Sequence, residues 1–241
     1  MVKPLRIAER KEIIYTDAQW ELFKDFRERA SELMRGLQRR GIRSIVHGSI
    51  ARGDVKENSD VDVVILQVVP SYKVELALRE AGLQATKREI MMATPWQLPK
   101  AHIYVKEDQR VTFPLVEPRR LEIEFYYFSG AVDLEKIARG ERVPGVDKRL
   151  MFIEPTGYGH IERQVIGREA EVAKELGVSF DIVHERVTVL TRRAKIGRTG
   201  VFLQRSLAPG ESFEAVFRQI VASNPAVKLR LKKARIHKWS S

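Results

Sequence analysis

The sequence predicts an α+β fold, in which a twisted mixed sheet is flanked by helices and followed by a smaller helical part. Three observations lead to this class: a long helical pattern near the start, a series of short strand patterns after it, and two helical patterns around Gly177. A chain of 241 residues is long enough for two domains with separate cores. We expect a first domain over 1–143, a second over 150–208 and a basic helical tail over 209–241, with a linker in ERVPGVDKR.

The first two elements lead into a Gly-Ser pair. YTDAQWELFKDFRERASELMRGLQRRG predicts an amphipathic helix, capped at Thr16 or Asp17 and stopped by Gly41. Its apolar residues recur at helical spacing: Trp20, Phe23, Phe26, Ala30, Leu33 and Leu37. IRSIVHG predicts a short strand that ends at Gly48 and Ser49. A glycine after a strand lets N–H groups approach a phosphate closely, and a serine hydroxyl adds a neutral donor.

Two aspartates open the next strand. DVDVVIL alternates acidic and apolar residues and then becomes continuously apolar, as a central strand does when only its first end faces solvent. Asp60 and Asp62 are two residues apart and therefore share one face of this strand. A helix in YKVELALREAG follows. After it come strand candidates in LQATKREIMMA, AHIYVK, RVTFPLV and RRLEIEFYYF, and a short helix in VDLEKIARG.

A carboxylate pair on one strand face is costly to bury unless a cation or hydrogen-bond donors lie opposite. Taken alone, the pair has two equally supported interpretations. It can bind a hard cation such as Mg2+, or Asp60 can cap a turn while Asp62 pairs with an arginine. Glu122 and Glu124 are predicted on one face of a neighbouring strand. Three oxygen ligands from the two strands could then hold two divalent ions about 4 Å apart.

Composition narrows the chemistry further. The chain has no cysteine, so a metal must be held by oxygen or histidine ligands. The formal net charge of +11 favours a polyanionic partner, although charge of this size can also serve solubility alone. No apolar run approaches the roughly 20 residues that span a bilayer, and the N-terminus lacks the apolar core of a signal peptide. We therefore expect a soluble, cytoplasmic protein that does not enter membranes.

The stretch GSIARGDVKENSDVDVVI resembles the signature of the DNA polymerase beta-type nucleotidyltransferase superfamily: a Gly-Ser pair, a short loop, Asp-x-Asp on a strand and a later acid. The similarity covers roughly residues 42–130. It implies that Gly48 N–H and Ser49 hold triphosphate oxygens and that Arg52 neutralises the leaving pyrophosphate, the alternative for Arg52 being a solvated loop arginine. Matching RRLEIEFYYFSG to the family makes Glu122, rather than Glu124, the third ligand.

The resemblance also implies a reaction. Asp60 and Asp62 would hold both of two Mg2+ (or Mn2+) ions, and Glu122 would hold the one that activates an attacking hydroxyl. An NMP would then pass from an NTP to a hydroxyl acceptor with release of pyrophosphate, and RNA is favoured over DNA as the acceptor. Tyr127 and Phe128 resemble an aromatic step beside the incoming sugar, although two aromatics at a strand end are more often core.

The second half resembles a winged helix-turn-helix. AEVAKELGVSFDIVHERVTVLTRR predicts two helices with Gly177 in the turn and Ser179 as N-cap, and KIGRTGVFLQR predicts a wing of two short strands. An ordinary helical hairpin is the alternative. Cations here and in the tail are candidate nucleic-acid contacts: Arg192, Arg193, Lys195, Arg198, Lys232, Lys233 and Arg235.

Two alternatives remain open from the sequence. The tail could instead be an amphipathic helix that packs on the body through Val227, Leu231 and Ile236. The whole chain could be a non-catalytic, nucleic-acid-binding winged-helix regulator that retains the nucleotidyltransferase fold. Acids at all three expected positions favour the enzyme, because a binding protein has no need of metal ligands.

Overall fold

A computed structural model describes residues 10–197 and 200–236, with side chains described as far as residue 231. Its elements are nine helices and eleven strands within these residues. The helices are α1 Asp17–Gln38, α2 Ser49–Arg52, α3 Ser71–Glu80, α4 Arg120–Phe128, α5 Leu134–Ala138, α6 Glu169–Leu176, α7 Phe180–Ile196, α8 Phe213–Ser223 and α9 Pro225–Ile236. The strands are β1 Lys11–Ile14, β2 Ile45–His47, β3 Val61–Val64, β4 Lys87–Met92, β5 Lys100–Lys106, β6 Gln109–Pro114, β7 Ala131–Asp133, β8 Gly145–Val146, β9 Met151–Thr156, β10 Gly159–Gln164 and β11 Leu203–Ser206.

The chain divides into two units, each assembled from separate stretches. The first unit comprises the described residues of 1–32, 45–61 and 123–199, and the second those of 33–44, 62–122 and 200–241. The mixed α/β class predicted from sequence is confirmed. The division into domains at 1–143, 150–208 and 209–241 stays a prediction, and β8 lies inside the stretch that we expected to be a linker.

The first unit contains a four-stranded antiparallel sheet in the order β1-β10-β9-β8. Lys11 pairs with Glu162 at one end of the register, and Ile14 pairs with Gly159 at the other. A side chain at Gly159 would place its Cβ 2.0 Å from the Ile13 carbonyl oxygen, so β1 approaches β10 too closely for any other residue. The same unit also contains the antiparallel pair of β2 and β7.

The second unit contains strands in the order β11-β4-β5-β6-β3. β4, β5 and β6 are antiparallel neighbours, in which Ile90 is opposite Ala101 and Ala101 is opposite Phe113. This row of the sheet is fully buried. Phe113 meets Phe213 of α8 with ring centroids 5.4 Å apart, so α8 covers the apolar face. Most of the alternate residues of the same strands are polar, and they form the opposite face.

Several sequence predictions are confirmed by these elements. α1, α3 and β2 to β6 lie where the hydrophobic periodicities placed them. α6 and α7 form the predicted helical pair: Gly177 has the left-handed φ of 64° at the turn, and the Ser179 hydroxyl accepts a hydrogen bond from Ile182 N–H. No helix in the described part of the chain has the length and apolarity needed to cross a membrane.

One structural prediction is wrong, and another is not confirmed. RRLEIEFYYF is not a strand but the helix α4, whose start is fixed by a hydrogen bond of 2.8 Å from Arg119 N–H to the Glu122 carboxylate. Alternation of acidic and apolar residues mimicked a strand, whereas on a helix residues two apart lie on different sides, so Glu122 and Glu124 do not share a face. The winged helix is not confirmed, because Lys195 and Ile196 belong to α7 and β11 pairs with β4.

Candidate active site

The Gly-Ser pair forms the start of α2 in the first unit. Gly48 has a φ of 74°, which favours glycine, and it precedes the first helical residue, Ser49. The Gly48 N–H that we expected to hold a phosphate already donates to the Gly130 carbonyl at 2.9 Å. The next two N–H groups, of Ser49 and Ile50, have no acceptor within the helix, as at any helix start.

Ser49 lies beside the loop that leads to the first aspartate. Its hydroxyl is 3.5 Å from the hydroxyl of Ser59, which accepts a hydrogen bond from Lys56 N–H at 2.9 Å. Asp60 follows Ser59 directly and is exposed. It makes no ion pair with any residue that the structure describes. Its carboxylate is therefore open to a cation from solution.

Arg52 is a buried part of the first unit, only 4% exposed. It donates to the Ser129 carbonyl at 2.7 Å and to the Asp54 carboxylate at 2.8 Å. The alternative interpretation as a solvated loop arginine is therefore wrong. These contacts favour a structural role, and the assignment of Arg52 to a leaving pyrophosphate stays a prediction.

Asp62 lies on β3 in the second unit and is held by two donors. Arg110 donates to one carboxylate oxygen at 2.9 Å, and the Thr112 hydroxyl donates to the other at 2.5 Å. Because the only hydrogen of that hydroxyl is used, its oxygen accepts from Nδ1–H of His102 at 2.8 Å. Burial lowers the pKa of His102 to about 4, so that this imidazole is neutral near pH 7.

The polar face of the second unit extends across the neighbouring strands. Glu89 on β4 is fully buried, accepts from Tyr104 at 2.7 Å and Gln204 at 3.0 Å, and pairs with Lys87 at 2.6 Å. The polar row includes Asp62, Lys87, Glu89, Lys100, His102, Tyr104, Arg110, Thr112 and Gln204. Sequence reasoning missed all of its members except Asp62. Alternating polar residues in KREIMM, AHIYVK and RVTFPLV were the available signal.

Glu122 has a different environment, also in the second unit. Both of its carboxylate oxygens accept from Arg230 of α9, at 3.0 and 2.9 Å. Arg230 is completely buried and also donates to the Trp96 carbonyl at 3.0 Å. Glu124, in the first unit, accepts from the Ser179 hydroxyl. The role of Glu122 as third ligand stays a prediction, while its contacts are those of a structural ion pair.

The basic residues predicted to contact nucleic acid differ in their exposure. Arg192 and Lys195 are exposed on α7, and Arg193 is half-buried. Arg198 lies outside the described residues, as do the side chains of Lys232, Lys233 and Arg235 on α9. Val227, which the alternative interpretation places inward, is buried, and so is Arg230, whereas Leu231 is half-buried. Of the aromatic step, Tyr127 is exposed and Phe128 is buried as core.

The two aspartates of the motif are the candidate ligands of a divalent ion. Within residues 10–197 and 200–236, no group of three or more histidine or acidic side chains could hold a metal. Mg2+ is usually bound by one or two carboxylates together with substrate phosphates, and keeps several waters. Asp60 and Asp62, separated by Val61, supply that number of carboxylates. The three-acid, two-ion set implied by the resemblance stays a prediction.

Comparison with known families supports the motif. A family model described as a nucleotidyltransferase domain matches residues 24–122. Residues 24–122 are therefore similar to a nucleotidyltransferase domain. The matched stretch covers less than half of the chain, contains the Gly-Ser pair and both aspartates, and is consistent with the polymerase beta-type superfamily. No curated protein and no solved structure matched the chain. The nucleotidyltransferase domain supports a transferase that moves nucleoside monophosphates in general.

Proposed function

We propose that the protein transfers an NMP from an NTP to a hydroxyl group of RNA and releases pyrophosphate, in a reaction that depends on Mg2+ or Mn2+. The observation that carries the proposal is the match of residues 24–122 to the nucleotidyltransferase domain. Within that stretch, a glycine of positive φ starts a short helix, and the following loop leads to an exposed aspartate. This is the order in which the resemblance expects phosphate and metal ligands.

Each residue of the site has a separate role in the proposed reaction. Ser49 would hold a phosphate oxygen through its N–H and hydroxyl. Asp60 and Asp62 would hold the divalent ion, which supplies charge stabilisation for the phosphates. Thr112 keeps the Asp62 carboxylate in one orientation, and the neutral His102 behind it keeps the threonine oxygen satisfied. In this proposal Glu122 does not bind the metal and keeps its ion pair with Arg230.

A second candidate function is nucleotide binding without transfer. The specific observation in its favour is the ion pair of 2.9 Å between Arg110 and Asp62. A guanidinium in contact with a carboxylate competes with a metal for the same oxygens. A protein that only binds NTP could keep this pair permanently, whereas a transferase must exchange it for the metal. This is the non-catalytic alternative left open by the sequence.

Turnover of labelled nucleotide separates the two candidates. The full chain is incubated with each α-labelled NTP, total cellular RNA and Mg2+ or Mn2+, and label in RNA and released pyrophosphate are measured. We expect transfer that chelation of the metal abolishes, and loss of at least about a hundredfold in Asp62→Asn. Asp25→Asn is the matched control, because Asp25 is an exposed acid on α1.

Three results would count against the proposal. Transfer at the wild-type rate in Asp62→Asn would exclude this aspartate from the active site. Transfer in the presence of chelator would exclude the metal dependence. NTP binding in calorimetry without transfer to any acceptor in the RNA pool would favour the non-catalytic candidate.

A further inference from the structure

One side of α7 presents a pair of aromatic rings to solvent. Phe180 and His184 are four residues apart and therefore lie on the same side of the helix. Their rings are stacked, with centroids 5.6 Å apart and planes inclined by 19°. Phe180 is 51% exposed and His184 is exposed as well. A large flat apolar surface that remains in water is an available stacking platform.

Cations without carboxylate partners occupy the other end of the same helix. Arg192, Arg193 and Lys195 make no ion pair with any residue in the described part of the chain. Other arginines of the first unit are paired: Arg149 contacts Asp147 and Glu162, and Arg163 contacts Glu171 and Glu175. These three cations of α7 are therefore not neutralised by any described carboxylate.

The spacing of rings and cations suits a strand with exposed bases. From His184 to Arg192 the helix advances about 12 Å, at 1.5 Å per residue. A short stretch of single strand can place a base on the rings and its phosphates beside the cations. In a duplex the faces of internal bases are covered by their neighbours, so the rings would have nothing to stack on. The one exposed acid on this helix, Asp181, lies in its first turn, at the opposite end from the cations.

Cations at a helix C-terminus also complement the helix dipole. That effect accounts for the position of Arg193 and Lys195, but not for an exposed ring pair three turns earlier. Rings and cations together indicate a ligand with both flat apolar faces and negative charge.

We propose that this surface of α7, formed by Phe180, His184, Arg192 and Lys195, binds single-stranded nucleic acid. A base stacks on the Phe180–His184 pair, and phosphates contact the two cations. Only the role of the bound strand as acceptor rests on the proposed transferase function. Binding itself stands on the contacts and exposure of α7.

Fluorescence anisotropy with a labelled twelve-nucleotide oligouridylate tests the ring pair in the full chain. We expect binding that is weakened about tenfold in Phe180→Ala, as base stacking on an aromatic side chain requires. Phe180→Trp retains a stacking surface and should bind like the wild type, which separates lost stacking from a damaged helix start. Tyr158→Ala is the matched control, because Tyr158 is an aromatic residue of the same unit that is 45% exposed.

The salt dependence of the same binding tests the cations. Each of Arg192→Gln and Lys195→Gln should lower the slope of log affinity against log salt by about 0.7. Lys24→Gln on α1, where the lysine side chain is 78% exposed, should leave the slope unchanged. Equal affinity for a duplex of the same length, an unaffected Phe180→Ala, or a slope lowered as much by Lys24→Gln would each overturn the proposal.

The proposal and the transferase function fail separately. If oligouridylate binding depends on Phe180 but the protein transfers no nucleotide, only the proposed transferase function is refuted. Active transfer by a protein whose RNA binding is unchanged by every α7 substitution would refute only the proposed binding surface.

Discussion

Removal of the Glu122 carboxylate should destabilise the second unit, because it leaves the buried Arg230 guanidinium without its counter-ion. Arg230 has no exposed surface, and its Nη1 already lacks a partner among the described residues. Breaking a buried ion pair from one side typically costs about 3–5 kcal/mol. Glu122 keeps 16% side-chain exposure, so we expect the lower end, about 3 kcal/mol, for Glu122→Ala.

Thermal and urea unfolding measure this loss. For a chain of this size, about 3 kcal/mol corresponds to a decrease in Tm of about 6–12 °C. The double variant Glu122→Leu with Arg230→Met should recover part of it, because an apolar pair leaves no charge buried. Glu80→Ala is the control, since the Arg40–Glu80 pair is nearly half exposed and screened by solvent, so its loss should leave the Tm close to that of the wild type.

The same variant separates two roles of Glu122. If the carboxylate is a structural partner of Arg230, the urea midpoint falls and the metal affinity of the remaining folded protein is unchanged. Wild-type stability of Glu122→Ala, together with loss of metal-dependent transfer, would refute the structural argument and restore Glu122 as the third ligand.

Three further predictions follow from other contacts. Arg110→Gln should bind Mn2+ about fivefold more tightly in calorimetry, because the cation competing for Asp62 is removed; unchanged affinity would show that the ion pair does not compete with metal. Burial lowers the pKa of His102 from 6.5 to about 4. Between these two pH values the unfolded chain therefore binds a proton at His102 more tightly than the folded chain does. The free energy of unfolding should therefore fall by about 3 kcal/mol as the pH drops through this window, and less in a His102→Gln variant compared by urea titration; equal pH slopes would contradict this. Gly145→Ala should cost about 1–3 kcal/mol, because its Cβ would lie 2.4 Å from backbone atoms, whereas Gly157→Ala has nothing within 4 Å and should melt like the wild type.

The sequence determined the elements whose signals are local. A period of 3.6 residues placed α1 and α3, and a period of two placed β4 to β6. The turn between α6 and α7 followed from Gly177 and Ser179, because a left-handed glycine and a serine cap act within a few residues of the chain. The motif from Gly48 to Asp62 was equally local, and the family match covers it.

The tertiary structure determines which charged residues, and which strands, pair with each other. Asp62 meets Arg110 across 48 residues and Glu122 meets Arg230 across 108, separations at which no local pattern selects one arginine among many. The same limit applies to the sheet of the first unit, where β1 pairs with β10 in a register that no neighbouring residue encodes. α4 was mistaken for a strand for a related reason: its nine residues are ambiguous in period, and its contact with α9, made by Glu122 and Arg230, is distant in sequence. Short elements take their conformation, and charged residues their partners, from contacts that exist only after the chain has folded.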